Sequence, residues 1–185
     1  MDTWVTSDLH FCHNREFVYV PRGFSNVWEM NEAIVDNWNT NVKFDDEVYL
    51  LGDVMLNDND LGLKLLKSLK GNIHIVCGNH DTDTRVELYR NCWNVVEITY
   101  ATIIKQGKYR FYLSHYPTIT SNLDESHLSQ HLFNLYGHTH QKTNFYNDIP
   151  WIYHVGVDSH NCTPVNINQV IEDARAKYKE CGDML

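Results

Sequence analysis

Five times along this 185-residue chain a short run of apolar and β-branched residues stops at a polar turn carrying histidine, aspartate or asparagine. The plainest instance is Ile73-His74-Ile75-Val76-Cys77-Gly78-Asn79-His80-Asp81. Its first half accumulates apolar and β-branched residues as a strand buried on both faces does, and a glycine then opens a sharp turn. Asn and Asp are ordinary helix-capping residues, so one such turn has a purely structural account. Repetition changes the inference, because loops held by a rigid sheet are where reactive side chains are brought together.

The other four segments follow the same plan. Thr3-Trp4-Val5-Thr6 leads to Ser7-Asp8-Leu9-His10, in which Asp8 and His10, one residue apart at a strand end, can face the same side. Glu47 to Leu51 closes on Gly52-Asp53, Tyr109 to Leu113 on Ser114-His115, and Phe133 to Tyr136 on Gly137-His138-Thr139-His140. A further strand and turn is expected over Trp151-Ile152-Tyr153-His154-Val155-Gly156-Val157-Asp158, with His154 and His160 read as packing residues.

Between these runs lie helical patterns. Asn26 and Glu29 form a capping box ahead of Val27, Met30, Ile34 and Trp38 at helical spacing, and Asp58 or Asp60 caps a helix through Leu61, Leu65, Leu66 and Leu69 that Gly71 stops. Residues 84–92 read as helix, and Val170, Ile171, Ala174 and Tyr178 mark a closing one. Strand, helix, strand implies parallel pairing in the first half. After Asn91 the runs 95–100, 102–105 and 109–113 are β-rich, with Gln106-Gly107-Lys108 as a hairpin turn. His127 and His131 are four apart in an expected helix; without the acid of His-Glu-x-x-His they read as a solvated face.

Composition narrows the class. Residues 1–185 are expected to form one domain, since length suits a single core and no Pro-, Gly- or Ser-rich tract interrupts it. Fifteen basic against 24 acidic residues leave a net charge of −9, unsuited to wrapping duplex phosphate. No apolar run is long enough for a membrane span or follows a basic amino terminus, which predicts a soluble, cytoplasmic protein with no membrane partner. Five irregularly spaced cysteines without a Cys-x-x-Cys pair predict free thiols, Cys77 in the core.

Loops at the carboxyl ends of strands share one rim in an open sheet, so Asp8, His10, Asp53, Asn79, His115, His138 and His140 can converge. Four imidazoles, two carboxylates and one amide oxygen suit Mn²⁺, Fe, Zn²⁺, Ni²⁺ or Co²⁺ rather than Ca²⁺ or Mg²⁺. Seven donors exceed one coordination sphere, and two ions roughly 3.5–4 Å apart that share a carboxylate would use them all.

Asp8-Leu9-His10, Gly52-Asp53, Gly78-Asn79-His80-Asp81, Ser114-His115 and Gly137-His138-Thr139-His140, in that order, resemble the motifs of the calcineurin-like metallophosphoesterase superfamily, and Val155-Gly156-Val157-Asp158 resembles the closing strand of its small prokaryotic and phage-type members. The resemblance implies a four-layer α/β/β/α sandwich of two mixed β-sheets flanked by helices. It implies two divalent transition-metal ions, Mn²⁺ foremost: one on Asp8, His10 and His140, the other on Asn79, His115 and His138, with Asp53 between them. Two ions, two carboxylates and a bridging hydroxide would leave the site about one positive charge, enough to draw in a phosphate oxyanion and attack it in line. His80 is then expected to assist the leaving oxygen, with Asp81 holding its imidazole. His13, Asn14, Arg15 and Arg22 are candidate substrate contacts.

The expected activity is hydrolysis of phosphodiester bonds in small nucleotide-like substrates, 2′,3′-cyclic nucleotides first among them. The alternatives are a phosphomonoesterase, a nuclease on ends or single strands, and a scaffold that has lost its metals. A scaffold should lack several ligands, and this chain has them all. An HD-type phosphohydrolase puts its His-Asp pair in a helix, whereas His80-Asp81 follows a strand and a glycine; the His-x-His-x-Asp-His run of the metallo-β-lactamase class is absent.

Overall fold

Alternating apolar runs and amphipathic helices in the first half build one sheet, and the β-rich second half builds another. The computed structural model describes residues 1–120 and 125–182. In chain order the elements are β1 (Thr3–Thr6), α1 (Glu16–Tyr19), α2 (Val27–Asn41), β2 (Glu47–Leu50), α3 (Asn59–Ser68), β3 (Asn72–Val76), α4 (Asp83–Tyr89), β4 (Val95–Thr99), β5 (Ala101–Gln106), β6 (Tyr109–Ser114), β7 (Leu132–Tyr136), β8 (Ile152–His154), β9 (Val165–Asn166) and α5 (Ile167–Gly182). The first sheet has the order β4-β3-β2-β1-β9, parallel except for β9; the second has the order β5-β6-β7-β8, with β5 antiparallel to β6 and the rest parallel. Helices flank both sheets, giving the four-layer α/β/β/α sandwich.

Two apolar cores follow from strand alternation. Val48, Leu50, Ile73 and Ile75 on one face of the first sheet pack with Met30, Ile34 and Trp38 of α2 and Leu66 of α3. Val5, Leu51 and Val76 pack with Phe111, Leu113, Phe133 and Leu135 of the second sheet and with Val170 and Ala174 of α5. Each fully buried side chain of this size stabilises the fold by about 1.5–3 kcal/mol. Asn26 caps α2 as expected, its side chain accepting from the Trp28 and Glu29 amides, but the reciprocal half of the box is displaced: Glu29 accepts from the Ser25 amide and the Asn26 side chain rather than from the Asn26 backbone. Asp58 caps α3 through the Leu61 amide. The five cysteines are free, and Cys77 is buried.

Several local expectations are corrected. β3 is not buried on both faces, because His74 lies partly exposed between Glu47 (2.6 Å) and Glu97 (3.0 Å), stacked on Tyr49. His127 and His131 do not share a helix face: a single 3-10 turn, Leu128–Gln130, separates them, which leaves His127 exposed and buries His131 flat against Trp151 at 3.6 Å. The short α1 and β9 carry too few residues to show a periodicity and have no counterpart in the sequence reading. Among the described residues no helix is long and apolar enough to cross a membrane.

Candidate metal centre

Parallel pairing makes the turns after β1, β2 and β3 emerge at one end of the first sheet, and those after β6, β7 and β8 at one end of the second. The two ends are tied together. Ser7 bridges Gly156, the Val157 amide donates to the Ser7 carbonyl, and the His138 amide donates to Asp8 Oδ2. Gly137 and Gly78 allow this approach because neither has room for a Cβ: at Gly78 one would sit 2.8 Å from the Asp53 nitrogen and 2.8 Å from the His115 ring, and at Gly137 it would meet the Ser7 and Asp8 side chains.

Around Asp8 and Asp53, both buried, the side chains of several histidines and Asn79 converge. His10 Nε2 stands 3.9 Å from Asp8 Oδ1 and 3.6 Å from Asp53 Oδ2, while His140 Nε2 is 4.0 Å from Asp8 Oδ1. These gaps are too long for hydrogen bonds, and His10 Nε2 is a buried nitrogen with no hydrogen-bond partner. Two donors each about 2.0–2.2 Å from a shared ion stand at about this separation. On the other side of Asp53, His115 Nε2 lies 3.6 Å from Oδ2, and Asn79 Oδ1 sits 2.9 Å from both His115 Nε2 and His138 Nδ1. Asp8, His10 and His140 form one candidate metal-binding cluster and Asp8, Asp53 and His115 a second, consistent with a dinuclear divalent-metal site.

Neighbours prepare these donors. The His115 Nδ1–H donates to the Leu51 carbonyl at 2.8 Å, which leaves Nε2 with its lone pair toward Asp53. Asp8 accepts from Ser7 Oγ (2.6 Å) and from the His138 amide (2.9 Å). Burial, aided by Arg22 and the adjacent histidines, holds the His10 pKa well below the usual imidazole value, so it stays neutral as a ligand must be. Burial likewise lowers His138 and raises Asp53. His140 is the exception: burial pulls its pKa down, but the hydrogen bond it donates to Asp158 and the charge of Asp8 outweigh it and the value rises.

The remaining sequence candidates divide. His80 lines a cleft of 350 Å³ beside the clusters, together with His10, His13, Phe17, Pro21 and His140. Its ring centroid is 5.6 Å from that of His10, and its amide donates to Asp53 Oδ1. His13 is half-buried in the same cleft, its Nδ1 3.2 Å from His10 Nδ1. Asn14 and Arg15 are exposed on the turn into α1. Asp81 does not hold the His80 imidazole: its two oxygens accept the amides of Asp53, Gly78 and Val54 and the Tyr89 hydroxyl, which uses them fully. Arg22, expected at the substrate, has a side chain only 1% exposed and spends its guanidinium on Asp158 and on the carbonyls of Asp8 and Leu9.

Three contributors escaped the sequence reading. Asp158 accepts from His140 Nδ1 at 2.8 Å; its one sequence signal was a carboxylate following the last strand-like run. Phe17, 73% exposed, meets His13 edge-on, and Tyr116, 49% exposed, meets His115 and His138 edge-on on the opposite side of the centre. Neither aromatic belongs to a spacing pattern.

Comparison with known proteins agrees with this geometry. The family model described as the calcineurin-like phosphoesterase superfamily domain matches residues 1–167. An uncharacterized protein of Methanocaldococcus jannaschii is 32% identical over 179 residues, covering 91% of this chain and 89% of its own. The crystal structure of a protein of unknown function from Aquifex aeolicus superposes with a TM-score of 0.69 at 22% identity, over 92% of this chain and 98% of the other, which speaks to the fold alone.

Proposed function

The chain belongs to the calcineurin-like phosphoesterase superfamily, and from that premise we propose that it hydrolyses phosphodiester bonds of small nucleotide-like substrates, 2′,3′-cyclic nucleotides foremost. The observation that carries this reading is the convergence of His10, His140, His115 and Asn79 on Asp8 and Asp53, with the His10 nitrogen buried and unpartnered at its centre. Asp8, His10 and His140 would hold one divalent ion and Asn79, His115 and His138 the other, with Asp53 common to both and Mn²⁺ the leading metal. When bound, the ions supply Lewis acidity to the phosphoryl oxygens and a charge that activates water.

The chain's own groups do the rest. His80, half-exposed beside the clusters and not needed as a ligand, delivers a proton to the leaving oxygen. His13 stands close enough to His80 and His10 to contact the phosphate. Phe17 and Tyr116 offer exposed ring faces on opposite sides of the centre. A phosphodiester carries an organic group on each side of phosphorus, and aromatic stacking on a base is worth about 1–3 kcal/mol. A net charge of −9 disfavours extended nucleic acid.

The test is turnover by Mn²⁺-loaded protein on a phosphomonoester, an activated phosphodiester, 2′,3′- and 3′,5′-cyclic nucleotides and short single-stranded DNA and RNA. Preference for cyclic or activated diesters, abolished by chelator, is expected. His80→Ala is expected to keep both ions and lose turnover, and Phe17→Ala to raise KM for nucleotides more than for a methyl ester. Preference for monoesters or for strands would overturn the substrate assignment, and protein that binds no divalent ion would overturn the reaction.

A further inference from the structure

We propose that Arg22 and Asp158 together form a buried strut that positions His140 and thereby sets the affinity of one of the two metal positions. This rests on the dinuclear reading above and assigns residues that the resemblance does not.

Arg22 and Asp158 are 136 residues apart and meet through two parallel hydrogen bonds, Nε to Oδ1 at 3.0 Å and the terminal nitrogen to Oδ2 at 2.9 Å. Their side chains are 1% and 5% exposed. Two of the guanidinium's three other protons are spent at the metal loop itself, on the Asp8 carbonyl at 2.9 Å and the Leu9 carbonyl at 3.2 Å, and the third faces Met30 Sδ. The Asp158 oxygen that faces the guanidinium also accepts from His140 Nδ1 at 2.8 Å. One unbroken chain therefore runs from the backbone of Asp8 through Arg22 and Asp158 to the imidazole of His140, whose Nε2 is turned back toward Asp8.

Two physical arguments give this chain a task. A buried ion pair is weak support for stability, since well-packed apolar residues in its place are commonly neutral or better, so its position needs another explanation. A carboxylate on the distal nitrogen of a histidine fixes its tautomer and ring orientation, and removing such a partner typically costs about 10- to 100-fold in metal affinity. His140 needs that help more than the buried histidine ligands do. Its side chain is 40% exposed, whereas His10 and His115 are clamped by burial at 3% and 1%. Lys142 Nζ, 4.0 Å from Asp158, is too far and too exposed to replace Arg22.

The decisive variant is R22M/D158N, which removes both charges and leaves no buried ion unpaired. Metal content and Mn²⁺ titration calorimetry on folded protein are the primary readouts. The unmodified chain is expected to bind two ions and the variant to bind one as before and the other 10- to 100-fold more weakly. Adding His140→Ala to the variant is expected to cause no further loss at that position, because the strut acts only through that ring. Two ions at unchanged affinity in the variant, or losses that add, would overturn the strut. An unmodified protein that binds no ion would instead overturn the dinuclear reading. Should the variant not fold, the tautomer of His140 in the unmodified protein, read by long-range ¹⁵N–¹H correlation, decides the same point: a proton on Nδ1 is expected, and a proton on Nε2 refutes the strut.

Discussion

Asp81→Asn separates two roles for a carboxylate that follows His80 in sequence. In the structure Oδ2 accepts the Asp53 and Gly78 amides at 2.8 Å each, and Oδ1 accepts the Val54 amide at 3.2 Å and the Tyr89 hydroxyl at 2.8 Å. An amide can keep its oxygen toward the first two and turn its NH₂ toward Tyr89, whose hydroxyl rotates to accept. The Val54 N–H then faces another donor. One buried donor left unsatisfied costs about 1–3 kcal/mol, and bonds to a charged acceptor exceed neutral ones by about 1 kcal/mol each, so a net loss of roughly 2–4 kcal/mol is expected. At this chain length that lowers Tm by roughly 5–15 °C in calorimetry of the metal-free protein. Because the lost bonds hold the turn carrying Asp53, Mn²⁺ affinity should fall with it. An unchanged Tm accompanied by the same fall in kcat as His80→Ala would refute this account and return Asp81 to the imidazole.

Gly78→Ala should abolish binding of at least one ion in a titration, because the new Cβ would drive the Asp53 and His115 groups apart; retained stoichiometry would refute the packing argument. Chelation should lower Tm while leaving the far-ultraviolet circular dichroism intact, since both cores form without the metal residues; global unfolding on chelation would contradict this. The pKa of His154, fully buried, is pushed down to about 3 by burial and by the nearby His160. A depressed folded-state value means that stability is whole above about pH 6.5, the value in the unfolded chain, and is lost as pH falls toward 3, by a few kcal/mol. Denaturant midpoints of the metal-free protein between pH 7.5 and 5 should therefore fall, and less steeply in His154→Gln; parallel slopes would exclude His154 as a source.

The sheet architecture was legible because buried strands and amphipathic helices repeat with short periods, and because each strand end carries its own glycine or polar residue. Val27, Met30, Ile34 and Trp38 are buried as their spacing predicts. Pairings that span the chain were not legible. Arg22 read as a cation free for substrate, since nothing in Pro21-Arg22-Gly23 points to Asp158 on the far side of the sequence. Asp81 read as a partner for its neighbour His80, yet the tight turn after β3 aims three backbone amides at it instead. His131 read as solvated because a helix was expected, and the intervening 3-10 turn rotates it inward.

The spacing Asp8-x-His10 suggested strand alternation, and the backbone reaches the same end by another route. Asp8, His10, Asp53, His138 and His140 all have φ between 49° and 66°, the left-handed region. Alternate residues of an extended strand are set apart by two rises of about 3.3 Å, whereas left-handed residues on both sides of Leu9 and of Thr139 break that extension. The strain is about 1–2 kcal/mol per residue. It is held by cross-loop bonds that any residue types could form: the Asp8 amide to the Gly52 carbonyl, the His10 amide to the Asp53 carbonyl and the Phe11 amide to the Val54 carbonyl, each 3.0 Å. The loop backbone thus fixes where the donors stand, and partners elsewhere in the chain, such as the Asp158 carboxylate and the Leu51 carbonyl, fix only how each ring is turned. Position and orientation are set by different parts of the chain, so a strut variant can loosen one ligand while the loop that carries it keeps its shape.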